Sequence, residues 1–292
     1  MGAATTYRLR VGDVVIGLNG PDASFAAALE AYFDRPCDAA EAHVHLDVHV
    51  FGEGETRPVP NSLLLDKQAG PDGFDMAHGL VTGRYDPASG RGELHVHDVL
   101  TRGLMTRIFE QILYQVFHSA CRRAGYDACL VHSSGVVRDG AGFLFVGPSG
   151  AGKSTVAGLA ADDGLAVVND EMNLIRFAPD GPRLLASPFN GHFRRKRPAE
   201  APLTAVLLLR HAPRHALEPV GPGEAAAAVG SQIAPPVGVD ELADGDTPAA
   251  MLDTGARLAQ ATAVRRLLFT PDNGFWPLLA TTFLSDPKGR HD

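Results

Sequence analysis

Gly147-Pro148-Ser149-Gly150-Ala151-Gly152-Lys153-Ser154-Thr155 is the stretch on which the reading of this chain turns. It matches Gly-x4-Gly-Lys-Ser/Thr in full, with the apolar run Phe143-Leu144-Phe145-Val146 before it and the helix-like Val156-Ala157-Gly158-Leu159-Ala160 after it. Glycines between a strand and a helix let successive backbone N–H groups turn inward around phosphate oxygens, and the helix N-terminus adds partial positive charge. Lys153 then reaches the β- and γ-phosphates of a nucleotide, and the Ser154 hydroxyl can ligate Mg²⁺. The chain holds only four lysines, so a chance lysine at this position would be a rare coincidence. The pattern therefore predicts an α/β phosphate-loop domain with Gly147 to Thr155 around the phosphates of ATP.

Upstream, Ala128 to Val137 reads as one strand, and Asp139-Gly140 as the turn that sends the chain back along Phe143–Val146 toward the loop. Downstream, the strand Leu165-Ala166-Val167-Val168 runs into Asn169-Asp170-Glu171. A carboxylate at a strand end beside a phosphate loop can hold Mg²⁺ or accept a proton from an attacking hydroxyl. Adjacent strand residues face opposite ways, so one of Asp170 and Glu171 is expected to face the phosphates, with Asp170 favoured. An ordinary acidic turn is the plainer alternative. His132, on the strand before the loop, can orient a carboxylate or simply be satisfied by hydrogen bonds. His192-Phe193-Arg194-Arg195-Lys196-Arg197 is the densest positive charge in the chain, and guanidinium forks match phosphate oxygens. That makes Arg194 and Arg195 candidates for clamping a transferred phosphoryl group, against the alternative of a solvated loop.

The first 125 residues read differently: short alternating runs separated by Gly, Pro and Asp, one helix from Phe25 to Phe33 capped by Asp22 or Ser24, and an apolar stripe at Leu100, Leu104, Ile108, Ile112, Val116 and Ala120. Gly125 is placed to end that second helix. This predicts an α+β domain over 1–125 and a nucleotide-binding domain over 126–292, the stripe being core or else the face of a homo-oligomer. His43, His45, Asp47 and His49 alternate with valines and a leucine, and His95 and His97 repeat the pattern. Period two puts the apolar residues in the core and the histidines in water, and this reading is preferred over a metal site.

Composition narrows the partners. With 45% hydrophobic and 21% charged residues the chain is expected to be globular, and no run approaches the length of a membrane span. A net charge of −8 argues against broad binding to nucleic acid or to anionic membranes. Met1–Arg8 lacks the order of a signal peptide, and Cys37, Cys121 and Cys129 are too scattered for a disulfide framework, so a cytoplasmic location is expected. The transporter signature Leu-Ser-Gly-Gly-Gln and the guanine-reading Asn-Lys-x-Asp are both absent from the sequence.

Taken in order, Val131-His132-Ser133-Ser134-Gly135-Val136-Val137, the turn Asp139-Gly140, the loop Gly147–Thr155, Asn169-Asp170-Glu171 and Ser187-Pro188-Phe189-Asn190-Gly191 resemble the HPr kinase/phosphorylase C-terminal domain, and most closely the HPr-kinase-related serine kinases. The resemblance covers roughly residues 126 to 292. It implies a fold related to phosphoenolpyruvate carboxykinase and transfer of the γ-phosphoryl group of ATP to a serine hydroxyl on a protein, peptide or small molecule. It also implies that the loop holds ATP, that Ser154, Asp170 and Glu171 serve Mg²⁺, and that Asp170 is the base. Thr155 stands where that family usually has an acidic residue, and Asn169-Asp170-Glu171 where it has paired aspartates, so the choice between Asp170 and Glu171 stays open. A nucleotide-sensing module without phosphoryl transfer and a small nucleotide hydrolase are the alternatives.

Overall fold

A computed structural model describes residues 6–20, 22–33, 37, 41–52, 66–70, 73–78, 80–102, 107–190, 193, 195–234 and 246–284. It is a mixed α/β protein with two sheets, and its contacts divide it into two compact units, with the break between Asp127 and Ala128. Residues 246–250 group with the first unit and Met251 onward with the second.

The first unit contains β1 (Thr6–Val11), β2 (Val14–Asn19), α1 (Ala23–Tyr32), β3 (Val44–Phe51), β4 (Asp66–Gly70), β5 (Gly73–His78), β6 (Val81–Asp86), β7 (Arg91–His97), a 3₁₀ turn at Asp98–Arg102 and α2 (Arg107–Ala124). Its seven strands lie in the order β1-β2-β3-β7-β6-β5-β4. Alternation sets the faces: Tyr7, Leu9, Val11, Val44, Leu46 and Val48 are buried, as period-two patterning requires when one sheet face is covered. Asp22 caps α1 by accepting from the Phe25 N–H at 2.7 Å. At the end of α2, Gly125 adopts φ 60°, Tyr126 N–H donates to the Cys121 carbonyl, and Gly125 N–H donates to that of Arg122. These two bonds close the helix as a Schellman motif. The apolar stripe does not form one helix from Leu100. Leu100 sits on the 3₁₀ turn, while Ile112, Val116 and Ala120 are buried along α2. Leu104 lies outside the described residues, as do all of 103–106 between the two elements.

The second unit contains β8 (Ala128–His132), β9 (Ser134–Arg138), β10 (Ala141–Val146), α3 (Lys153–Asp162), β11 (Ala166–Asn169), β12 (Met172–Ala178), β13 (Gly181–Leu185), β14 (Glu200–His211), β15 (Ala216–Pro219), α4 (Pro222–Gly230), α5 (Asp246–Ala261) from Met251 onward, β16 (Ala263–Phe269), α6 (Phe275–Leu279) and a π-helical turn at Ala280–Leu284. The main path is β11-β9-β10-β14-β13-β12-β8, with β16 on β14 and β15 on β16. β14 begins against β13 and continues between β10 and β16, both parallel to it, so the sheet curls along this one strand.

β10 is buried along its whole length. Phe143 and Phe145 enter a core with Val156, Ala157 and Ala160 of α3 and with Phe269, Phe275 and Trp276. Leu144 and Val146 face the opposite core, with Val229 of α4 and Leu258 of α5. A strand covered on both faces reads as a continuous apolar run, which is why Phe143–Val146 is unbroken by polar residues. Asp139 (φ 50°) and Gly140 (φ 78°) make the hairpin turn between β9 and β10.

The strand expected from Ala128 to Val137 is divided at Ser133. β8 pairs with β12, whereas β9 pairs with β10 and β11. Ser133 is fully buried, its hydroxyl donating to the Val131 carbonyl and its N–H to the Glu171 carbonyl, and these bonds hold the switch between the two branches of the sheet.

Two glycines of β9 and its turn separate backbone strain from lack of space. A Cβ at Gly140 meets nothing within 4 Å, so Gly140→Ala is strained only by its φ and should lower stability by about 1 kcal/mol. A Cβ at Gly135 would lie 2.1 Å from the Asn173 side-chain oxygen, and Gly135→Ala should cost about 2 to 3 kcal/mol. Thermal or urea unfolding of the two variants should rank them in that order.

Candidate functional site

The loop after β10 requires its glycines. Gly150 (φ 80°) and Gly152 (φ 104°) are in the left-handed region, and a Cβ on Gly147 would lie 2.7 Å from that of Ala151. Gly152 is the N-cap of α3 and offers no side-chain acceptor to the first turn of the helix. The N–H groups of Lys153, Ser154 and Thr155 have no helical acceptor by construction, and that turn is a place for an anion. Pro148, Ser149, Gly150, Ser154 and Thr155 are exposed, and Ala151 is half-buried with its N–H bonded to the Pro148 carbonyl at 3.1 Å.

Lys153 is buried over the loop, its ammonium donating to the Gly147 carbonyl at 2.7 Å and to the Pro148 carbonyl at 3.3 Å. Burial pulls its pKa below the ordinary lysine value, and the negative charge of Glu171 works in the opposite direction. An ammonium held only by neutral carbonyls in a partly dry site gains strongly when an anion arrives.

At the end of β11 the fully buried side chain of Asn169 organises the acidic turn. Its oxygen accepts from the N–H groups of Glu171 (2.8 Å) and Met172 (3.3 Å), and its amide donates to the Ser187 hydroxyl (3.0 Å) and the Phe189 carbonyl (2.8 Å). The Ser187 hydroxyl in turn donates to the Met172 carbonyl. Asn173 fastens the other flank, donating to the carbonyl and the hydroxyl oxygen of Ser133 at 2.8 and 3.0 Å.

The two carboxylates face different neighbours. Asp170 is 3% exposed; one oxygen accepts from the Phe193 N–H at 3.2 Å and the other is buried without a hydrogen-bond partner among the described residues. Burial pushes its pKa above the ordinary aspartate value, with the Phe193 bond opposing and the neighbouring Glu171 charge adding to the rise. The Glu171 carboxylate lies 3.8 Å from Nε2 of His132, an ion-pair distance too long for a hydrogen bond, and Glu171 is the carboxylate whose field acts on Lys153.

The basic segment is divided by its contacts. Lys196 turns inward, donating to the Phe189 carbonyl (3.0 Å) and the Asn190 side-chain oxygen (2.7 Å), and its charge acts on Asp170. Arg195 points elsewhere, to Asp162 at 2.8 Å and over the Phe193 ring. Asp162 ends α3, about 14 Å along the helix from Lys153 at the usual rise per residue. Arg194 lies outside the described residues. Lys153, Asp170, Glu171 and His132 are thus brought together around the loop, and Arg195 is not among them. Sequence reading passed over Asn169 and Lys196 as site builders; their one sequence signal was position, a short polar side chain before an acidic pair and the single lysine among arginines.

In the first unit His49 and His95 stack at 5.1 Å, and each Nε2 lies 3.2 to 3.3 Å from one Glu93 oxygen. Among the described residues no group of three or more His, Cys, Asp or Glu is arranged to hold a metal ion, and no helix is long and apolar enough to cross a membrane. The three cysteines are free thiols. Compared with known proteins, the chain matches no family model and no curated protein.

Because the Asp170 pKa is raised on folding, its ionised form is disfavoured in the folded state. The destabilisation is absent below the ordinary aspartate range and present once the pH exceeds the raised value. Asp170→Asn should therefore stabilise the ligand-free protein at pH 7, and the gain should vanish below about pH 4. Unfolding curves of both proteins across that range check it.

Proposed function

We propose that the chain is an ATP- and Mg²⁺-dependent kinase of the HPr-kinase-like type. In this reading a phosphate-loop domain with the phosphoenolpyruvate-carboxykinase-related fold follows a smaller α+β domain, and the γ-phosphoryl group passes to a serine hydroxyl of a protein, peptide or small molecule. The observation that carries the reading is the convergence of a complete phosphate loop with a buried carboxylate, Asp170, one of whose oxygens has no hydrogen-bond partner among the described residues. A buried unsatisfied oxygen is unfavourable unless a ligand uses it, and here it stands beside the acidic partner of the loop lysine.

The residues divide the work by their surroundings. The amides of α3's first turn and Lys153 take the phosphoryl oxygens of ATP, Lys153 leaving the Gly147 carbonyl to do so. Ser154, exposed on that turn, together with Asp170 and Glu171 would hold Mg²⁺, which when bound neutralises charge on the phosphates. Asp170, whose raised pKa suits proton uptake, accepts the serine proton as the hydroxyl oxygen bonds to the γ-phosphorus and the bond to the β–γ bridging oxygen breaks, releasing ADP. His132 positions Glu171. Lys196 keeps positive charge near Asp170 and the acceptor side. The buried acidic turn favours chemistry over a binding-only sensor, since a sensor needs no base.

The experiment is incubation of purified protein with γ-labelled ATP, Mg²⁺ and lysate from its own source. Labelled phosphoserine or a labelled small alcohol is expected; free phosphate alone would make it a hydrolase, and tight ATP binding without transfer a sensor. Lys153→Ala should abolish transfer and weaken ATP binding. If Asp170 acts as the base, Asp170→Asn should retain ATP binding while transfer falls by about 10²- to 10⁴-fold; if it mainly holds Mg²⁺, ATP affinity should fall as well and extra Mg²⁺ should partly restore it, and transfer at the wild-type rate would overturn both roles.

A further inference from the structure

One edge of the loop carries an aromatic pair that phosphate binding does not use. β10, β14 and β16 run parallel, with Val146 beside Leu208 and His211 beside Phe269, so the C-terminal ends of all three lie along one edge of the sheet. Ligands of open α/β sheets sit outside that edge. Phe269 is fully buried, and its Cζ lies 2.6 Å from where a Cβ on Gly152 would be, so the ring packs directly on the glycine backbone at the start of α3. His211 stacks on Phe269 with ring centroids 5.0 Å apart and planes inclined by 26°. Its Nε2 is 3.3 Å from the Gly150 carbonyl oxygen. A carbonyl only accepts, so Nε2 carries a proton and donates. The imidazole is thereby held at two points: one face lies on a buried phenyl ring and one edge on the loop itself, while His211 as a whole remains exposed.

We propose that His211, backed by Phe269, is the stacking platform for the purine base of the nucleotide whose phosphates the loop holds. The proposal rests on the phosphate-loop reading and adds the part of the ligand that reading leaves unassigned. An exposed aromatic ring fixed in orientation loses little conformational freedom on binding, and a flat π-system is matched by the face of a base. A purine offers more stacking area than a pyrimidine, and the ribose and α-phosphate bridge the ring to the loop amides. Because Phe269 is buried and packed on Gly152, it supports the platform and His211 provides the contact.

The test is calorimetric titration of the full chain with ATP and, separately, with inorganic tripolyphosphate, which has the phosphates and no base. His211→Ala should weaken ATP binding by about 5- to 150-fold, the usual worth of one base–aromatic stack, and leave tripolyphosphate affinity unchanged. His211→Phe keeps the ring, lacks the donor to Gly150, and should retain ATP affinity. Unchanged ATP affinity in His211→Ala, or an equal loss for both ligands, would overturn the platform; the second outcome would make His211 a positioning residue for the loop. Wild-type protein that binds neither ligand would overturn the phosphate-loop reading and this proposal with it, so the two failures are distinguishable.

Discussion

The buried amide of Asn169 is the constraint on which the site depends. It holds the acidic turn from within, through the N–H groups of Glu171 and Met172, and at the same time grips Ser187 and Phe189. A buried amide with four well-placed bonds is expensive to disturb, because each lost partner leaves a polar group dry. Through it the end of β11 is tied to Ser187 and Phe189. Phe193 and Lys196 then reach Asp170 from the far side, and the Arg197 N–H returns to the Val167 carbonyl of β11.

β10 fixes the other half. Buried on both faces and paired with β9 and β14, it delivers Gly147 to one place, and the left-handed glycines turn the chain into α3. The charged groups set between these two halves are uncomfortable without a ligand: burial moves the Lys153 pKa down and the Asp170 pKa up, each toward its neutral form. Unfavourable burial of this kind is common where chemistry or binding takes place. Here it is tolerated because the surrounding strands and the Asn169 and Asn173 amides are fully packed.

Much of this was legible in the sequence where a local rule decides the outcome. Asp139-Gly140 gives a turn with two positive φ angles, Gly125 ends α2, and Asp22 rather than Ser24 caps α1. The valines of β3 face the core and its histidines do not. The glycine loop lies between strand and helix where the motif requires it. What the sequence concealed is tertiary. The break at Ser133 exists because two branches of the sheet diverge there, and the polar His132-Ser133-Ser134-Gly135 that marks it can equally be accommodated within one strand. Nor does a run of cations show which member turns inward; Lys196 finds its acceptors on Phe189 and Asn190, and Arg195 finds its own on Asp162 at the end of α3. Asn169 read as a departure from an acidic pattern, whereas its burial makes it the organiser of the turn.

The central claim is that the loop, Lys153 and the acidic turn form one nucleotide site. A crystal structure with a non-hydrolysable ATP analogue and Mg²⁺ tests it most directly. The account predicts phosphate oxygens on the amides of Gly150 to Thr155, the Lys153 ammonium moved from the Gly147 carbonyl to the β- and γ-phosphates, and the metal between Ser154 and the Asp170–Glu171 turn. Lys153 still bonded to Gly147, with the analogue bound away from the loop or not at all, would contradict it.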